Sequence, residues 1–120
     1  MLHITDTHLH LWDLSRFRLP WLDAVPALQH DVAWADYPTC APDGHWCIDR
    51  ALYVEVDVAP VQRQQEARYL RELCEEPANA VCGGIISLDL QQPDAVARCR
   101  EANTIHRWVK GVRHVLHVPS

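Results

Sequence analysis

The sequence lacks the long apolar run that a membrane crossing requires: no stretch approaches the roughly 18 residues of a span. It also lacks a basic region followed by an apolar core, the mark of a secretory leader, since it opens Met1-Leu2-His3-Ile4. Positive charge is scarce. The 120 residues carry 11 Lys and Arg against 16 Asp and Glu, a net charge of −5, which excludes the basic footprint of a nucleic-acid binder. Glycine is scarce as well, with 4 in the chain. No Gly-rich phosphate loop follows the first strand, and Gly83-Gly84 lies inside an apolar run instead of before a helix. That sets aside a small free-standing flavodoxin-like binder. What is present, 48% hydrophobic and 22% charged residues, fits one globular domain over residues 1–120, read as a cytoplasmic enzyme or binding protein.

Five cysteines stand at 40, 47, 74, 82 and 99. An odd number without a leader reads as reduced thiols and not as a disulfide framework. Cys40, His45 and Cys47 are close enough for a metal site, but no second pair at ligand spacing completes one. The segment is read as a loop rich in Trp and Pro that carries two thiols.

Four segments read as strands: 2–10, 51–58, 81–90 and 109–118, the last three apolar enough for burial on both faces. Between the second and third, Pro60 suits a first helical position. Ala67, Leu70, Leu73 and Cys74 fall at helical spacing, and Pro77 ends the run. Between the third and fourth, a helix starts at Pro93 with Val96, Cys99 and Ala102 or Asn103 on one stripe. Strands alternating with helices predict parallel βαβ construction. The first connection, residues 11–50, is longer and holds Trp12, Trp21, Trp34 and Trp46 among several prolines. It is expected to form a lid-like excursion with short helices at most. The chain stops at Val118-Pro119-Ser120, where a finished doubly wound domain would add a covering helix, so the sequence reads as cut off.

The sharpest local signal is Asp6-Thr7-His8-Leu9-His10. Histidines at i and i+2 share one side of a strand, and two imidazoles there can approach one cation from two directions. Asp6 falls on the same face, placed to orient a ligand or join the site. The bland alternative is a pair of solvent-facing or merely hydrogen-bonded histidines. Active sites of parallel α/β folds gather at the carboxyl ends of strands, and polar residues recur there: Glu55 and Asp57, Ser87 and Asp89, Arg113 and His117. Asp57 and Asp89 could equally cap the helices that follow. Arg113 offers a fixed fork of donors to a substrate carboxylate or lactone oxygen; its alternative is an internal ion pair with Glu55 or Asp89.

These blocks carry a resemblance. Asp6-Thr7-His8-Leu9-His10-Leu11-Trp12-Asp13, Leu19-Pro20-Trp21-Leu22, Leu52-Tyr53-Val54-Glu55-Val56-Asp57 and Lys110-Gly111-Val112-Arg113 together resemble amidohydrolase family 2. Within it they look nearest to the L-fuconolactonase and 2-pyrone-4,6-dicarboxylate lactonase branch. The resemblance implies an α/β fold of the TIM-type (β/α)8 barrel, with the first four βα units present in the order 1-2-3-4. It implies hydrolysis of a lactone or related carbonyl substrate with a divalent metal, zinc first. Position by position, it makes His8 and His10 metal ligands and Arg113 a substrate-holding residue, with Glu55 at the mouth of the site and Asp6 and Asp89 as supporting carboxylates. Such a barrel takes about 250 residues and eight strands. The family's later-strand histidines and last-strand aspartate have no counterpart here, and His114 and His117, on the fourth strand, do not replace them.

Two expectations follow. One is the N-terminal half of a metal-dependent lactone hydrolase. The other is a non-catalytic half-barrel that acts by associating with itself or a partner through open sheet edges. Neither involves nucleic acid or a membrane.

Overall fold

The computed structural model describes residues 1–105 and 107–117. Strand β1 (Leu2–Leu9) leads into a long excursion with 3-10 turns at Pro20–Ala24, Pro26–Leu28 and Trp34–Asp36. Strand β2 (Trp46–Val54), helix α1 (Arg63–Glu75), strand β3 (Val81–Ser87), helix α2 (Ala95–Ile105) and strand β4 (Val109–Arg113) follow. The four strands form one parallel sheet in the order β1-β2-β3-β4. This is the path of four consecutive strands of a (β/α)8 barrel, with both crossover helices on the outer face.

Several boundaries differ from the expectation for physical reasons. Strand β2 starts five residues early because a turn around Gly44, at φ +75°, folds residues 41–46 back and sets Leu2, His3 and Ile4 opposite Trp46, Cys47 and Ile48. It ends at Val54, where the Glu55 amide makes the last bond to β3, at the Ile85 carbonyl, and residues 56–58, expected as strand, leave the ladder; Asp57 takes a left-handed φ of +53°. Strand β3 stops at Ser87 and β4 at Arg113, beyond which no ladder partner holds residues 114–117; Val118, Pro119 and Ser120 lie outside the described residues. Pro60 opens a 3-10 turn that feeds α1 instead of opening the helix itself. Helix α2 begins at Ala95, not Pro93; Cys99 and Ala102 face inward as expected, but Ala95 and not Val96, which is 63% exposed, completes the inner stripe.

The cysteine reading is corrected too. Cys40 and Cys47 form a disulfide, brought together across an isolated antiparallel bridge with Cα atoms 4.0 Å apart. The 41–46 turn places the two thiols opposite one another, a juxtaposition that counting cysteines could not reveal. Cys74, Cys82 and Cys99 are free. No helix among the described residues is long and apolar enough to cross a membrane.

The core lies between the outer face of the sheet, α1 and the excursion. Leu9, Leu11, Ala51, Tyr53, Val81, Ile86 and Val109 meet Leu70 of α1 and Phe17, Leu19 and Leu22 of the excursion. Helix α1 comes close to β3 at Gly84: a Cβ there would lie 2.5 Å from the Tyr53 carbonyl oxygen and 2.8 Å from Leu70 Cδ1. Arg16 ties the excursion to α1. Its guanidinium makes a paired contact with the Glu72 carboxylate at 2.6 and 3.1 Å and lies over the rings of Tyr69 and Phe17.

Candidate active site

The carboxyl end of β1 carries the two histidines, and the local backbone there is irregular. Asp6 pairs with Ala51 but Leu9 pairs with Tyr53, so β1 holds one extra residue between them, a β-bulge. The amide of His8 donates to Asp6 Oδ1 at 3.0 Å, which holds that bulge. The simple alternation that placed Asp6 beside the histidines is therefore broken after Asp6, and its carboxylate serves the backbone. His8 and His10 nonetheless converge: their Nε2 atoms are 3.1 Å apart, with the rings edge-on at 77°. His10 Nδ1 donates to the Val54 carbonyl at 2.9 Å, which fixes its tautomer and leaves the Nε2 lone pair facing His8. Burial is the main force holding the His10 pKa below its ordinary value, and the nearby charges of His8 and Arg113 act in the same direction.

Across the mouth, Arg113 reaches back to Glu55. Its Nε donates to Glu55 Oε1 and one terminal nitrogen donates to the Glu55 carbonyl, both at 2.6 Å. Glu55 is 0% exposed, and its other carboxylate oxygen accepts the Asp57 amide at 2.7 Å. Of the two carboxylates considered as ion-pair partners for Arg113, Glu55 is the one in contact. Glu55 thus lies behind the mouth, holding the guanidinium, which keeps 36% side-chain exposure. It also holds Asp57 in its left-handed conformation, a strained placement of the kind that collects at functional sites. Burial, then the Glu55 charge, raises the Asp57 pKa.

Arg113 and His10 line one cavity of about 500 Å³. Its remaining walls include Asp57, His117, Val56 and Val115 from the strand ends and Trp12, Trp21, Leu28 and Tyr37 from the excursion. The excursion is pinned to the strand ends it covers. Trp21 Nε1 donates to the Val56 carbonyl at 2.7 Å, Tyr37 Oη donates to the His10 carbonyl at 2.8 Å, and Trp12 and Trp21 meet edge to face. Sequence reasoning recognised the excursion as lid-like but did not name Trp12, Trp21 and Tyr37 as wall residues. The clustering of tryptophans in an otherwise polar connection was the available signal. A second hollow, of about 560 Å³, lies away from the histidines among residues 14–29, and its arginines Arg16 and Arg18 are each paired with a carboxylate.

Asp89 is not brought to the cavity. Its carboxylate accepts the Gln91 amide and the Gln92 side chain at 3.0 Å, closing the turn before α2, with His114 Nδ1 3.7 Å away. That is the turn-capping alternative. The donor set fits a cation in part. Nitrogens bound to one tetrahedral zinc at about 2.0–2.1 Å stand roughly 3.3 Å apart, close to the spacing of the two imidazoles. The Nδ1–H to carbonyl bond of His10 is the usual support of a metal-bound imidazole. Among the described residues, however, no group of three or more His, Cys, Asp or Glu side chains converges.

No family model matches the chain, and no curated protein matches it. Among solved structures it is similar to "Amidohydrolase 2 from Bifidobacterium longum subsp. infantis", at 24% identity and a TM-score of 0.67. The match covers 99% of this chain and 42% of that one, so the chain spans about two fifths of that protein's length. Sheet order, crossover helices and this likeness together define the fold as part of a (β/α)8 barrel.

Proposed function

We propose that the chain supplies part of the active site of an amidohydrolase-type hydrolase that opens a lactone. The observation that carries this reading is the convergence of His8 Nε2 and His10 Nε2 to 3.1 Å at the carboxyl end of β1. His8 and His10 would hold a divalent cation, zinc in the first instance, which supplies Lewis-acid polarisation and activates water. Arg113, aimed by Glu55, holds a carboxylate or the lactone oxygen of the substrate. The aromatic walls exclude water from one side of it. Asp6 and Asp89 act at a distance from the substrate, through the backbone of β1 and the turn before α2.

Calorimetric titration with zinc tests the ligand assignment. Two imidazoles alone should bind weakly, at high metal concentration, and His8→Ala/His10→Ala should abolish that binding. Equal binding by wild type and double variant overturns it. The donor count favours a second reading, a half-barrel without turnover that acts through association. Hydrolysis of sugar and aromatic lactones with added zinc, measured with the chain completed to a closed eight-stranded barrel, separates the two: turnover lost in the double variant supports the enzyme, and no turnover supports the associating half-barrel.

A further inference from the structure

Behind the cavity, on the face of α1 turned towards the sheet, lies a carboxylate that the proposed chemistry does not use. Glu66 is 1% exposed. Its Oε2 accepts the Tyr53 hydroxyl at 2.7 Å and the Val56 amide at 2.9 Å. Its Oε1, equally buried, has no hydrogen-bond partner among the described residues. A buried carboxylate with one bare oxygen is costly when ionised and much less so when that oxygen carries a proton. Val56, which Glu66 grips, lines the cavity, receives the Trp21 indole and directly follows Glu55.

We propose that Glu66 is a proton-binding positioning residue for the cavity. When it is neutral, the Glu55–Arg113 pair is balanced and the guanidinium is open to an anionic ligand; when it is ionised, a second buried negative charge behind that pair weakens anion binding. The charged and titratable groups that face it are Tyr53 and Glu55 from β2 and its extension and Arg113 from β4, with Tyr69 of α1 beyond Tyr53. Burial raises the Glu66 pKa to about 7, against the opposing pull of the Val56 amide, so the exchange falls near neutrality. Because coupling is reciprocal, an anion bound at Arg113 strengthens proton binding at Glu66. The inference rests on the reading of Arg113 as a carboxylate holder and adds to it a regulator outside the cavity.

Benzoate, with neutral benzamide as control, serves as the probe. Its affinity is measured at pH 6 and pH 8 for wild type and Glu66→Gln. Burial also lowers the pKa of His10 and raises that of Asp57 on the cavity wall, so the comparison is between proteins at each pH. At pH 6 the two should bind benzoate equally. At pH 8 the variant should bind about fivefold or more tightly than wild type, the size of a modest coupling. Benzamide should show no difference. A ratio near one at both pH values, with benzoate bound, overturns the role of Glu66 and leaves the Arg113 reading intact. Absence of benzoate binding at every pH overturns the Arg113 reading and this inference with it. Should Glu66→Gln fail to fold, the carboxyl carbon shift of Glu66 in wild-type protein decides. A midpoint near neutrality that rises with saturating benzoate supports the proposal, and a midpoint that benzoate does not move overturns it.

Discussion

Removing the Arg113 side chain leaves the Glu55 carboxyl group fully buried and short of its strongest partner. Breaking one half of a buried pair of this kind costs about 3–5 kcal/mol, whereas replacing both halves by uncharged groups costs far less. Arg113→Met should therefore destabilise the fold strongly in urea titrations, and adding Glu55→Gln should restore much of the loss. Additive losses would show that the two side chains are not coupled. The neighbouring Glu66 acts oppositely, since its pKa rises on folding from 4.5 to about 7. Between those values the folded state holds a proton that the unfolded chain has released, so stability is greatest below pH 4.5 for this group and falls as pH rises towards 7. At about 1.4 kcal/mol per pH unit, the full loss comes to about 3.5 kcal/mol. Wild type should lose stability across this interval relative to Glu66→Gln, as chemical denaturation at pH 5 and pH 8 would read. A parallel pH dependence in the two proteins would contradict a raised pKa.

At the scale of elements, the packing of α1 on β3 depends on the absence of a side chain at Gly84. A methyl there would press on the Tyr53 carbonyl, which is backbone and cannot move aside, and on Leu70. Overpacking of this sort costs about 1–3 kcal/mol, so Gly84→Ala should lower the thermal midpoint, while Gly44→Ala should act only through its positive φ. The same elements show what the sequence made legible. Strands β3 and β4 and helix α1 were readable because apolar runs and a 3.6-residue stripe report burial directly. The early start of β2 was not, since Cys47, Asp49 and Arg50 carry no strand pattern and are placed by the turn at 41–46 and by pairing with β1. The His8–His10 convergence was readable from spacing, but the bulge beside it was not, because an extra residue in a strand leaves no trace in hydrophobicity. Glu66 could have been found. It lies four residues before Leu70, on the apolar stripe of α1, and a carboxylate in that position signals a buried partner.

The whole molecule leaves β1 and β4 with one neighbour each, so among the described residues the sheet has two unpaired edges. The face that would line a closed barrel is only partly covered: Ile4, Ile85 and Val115 are half-buried, and Leu2 at the start of β1 is exposed. In a complete barrel the edges vanish because the sheet closes on itself. In a four-stranded piece they are templates for another strand, and the apolar inner face is an association surface. Expressed alone, the 120-residue chain should therefore associate in a concentration-dependent way in sedimentation, whereas a Lys placed at the exposed Thr5, on edge strand β1, should shift the distribution towards monomer. The same chain, with two imidazoles in place of a full donor set, should show no measurable lactone hydrolysis. A monomer that unfolds cooperatively at all concentrations and turns over a lactone only with added metal would refute both halves of that expectation, since closure of the barrel would then be needed neither for stability nor for chemistry.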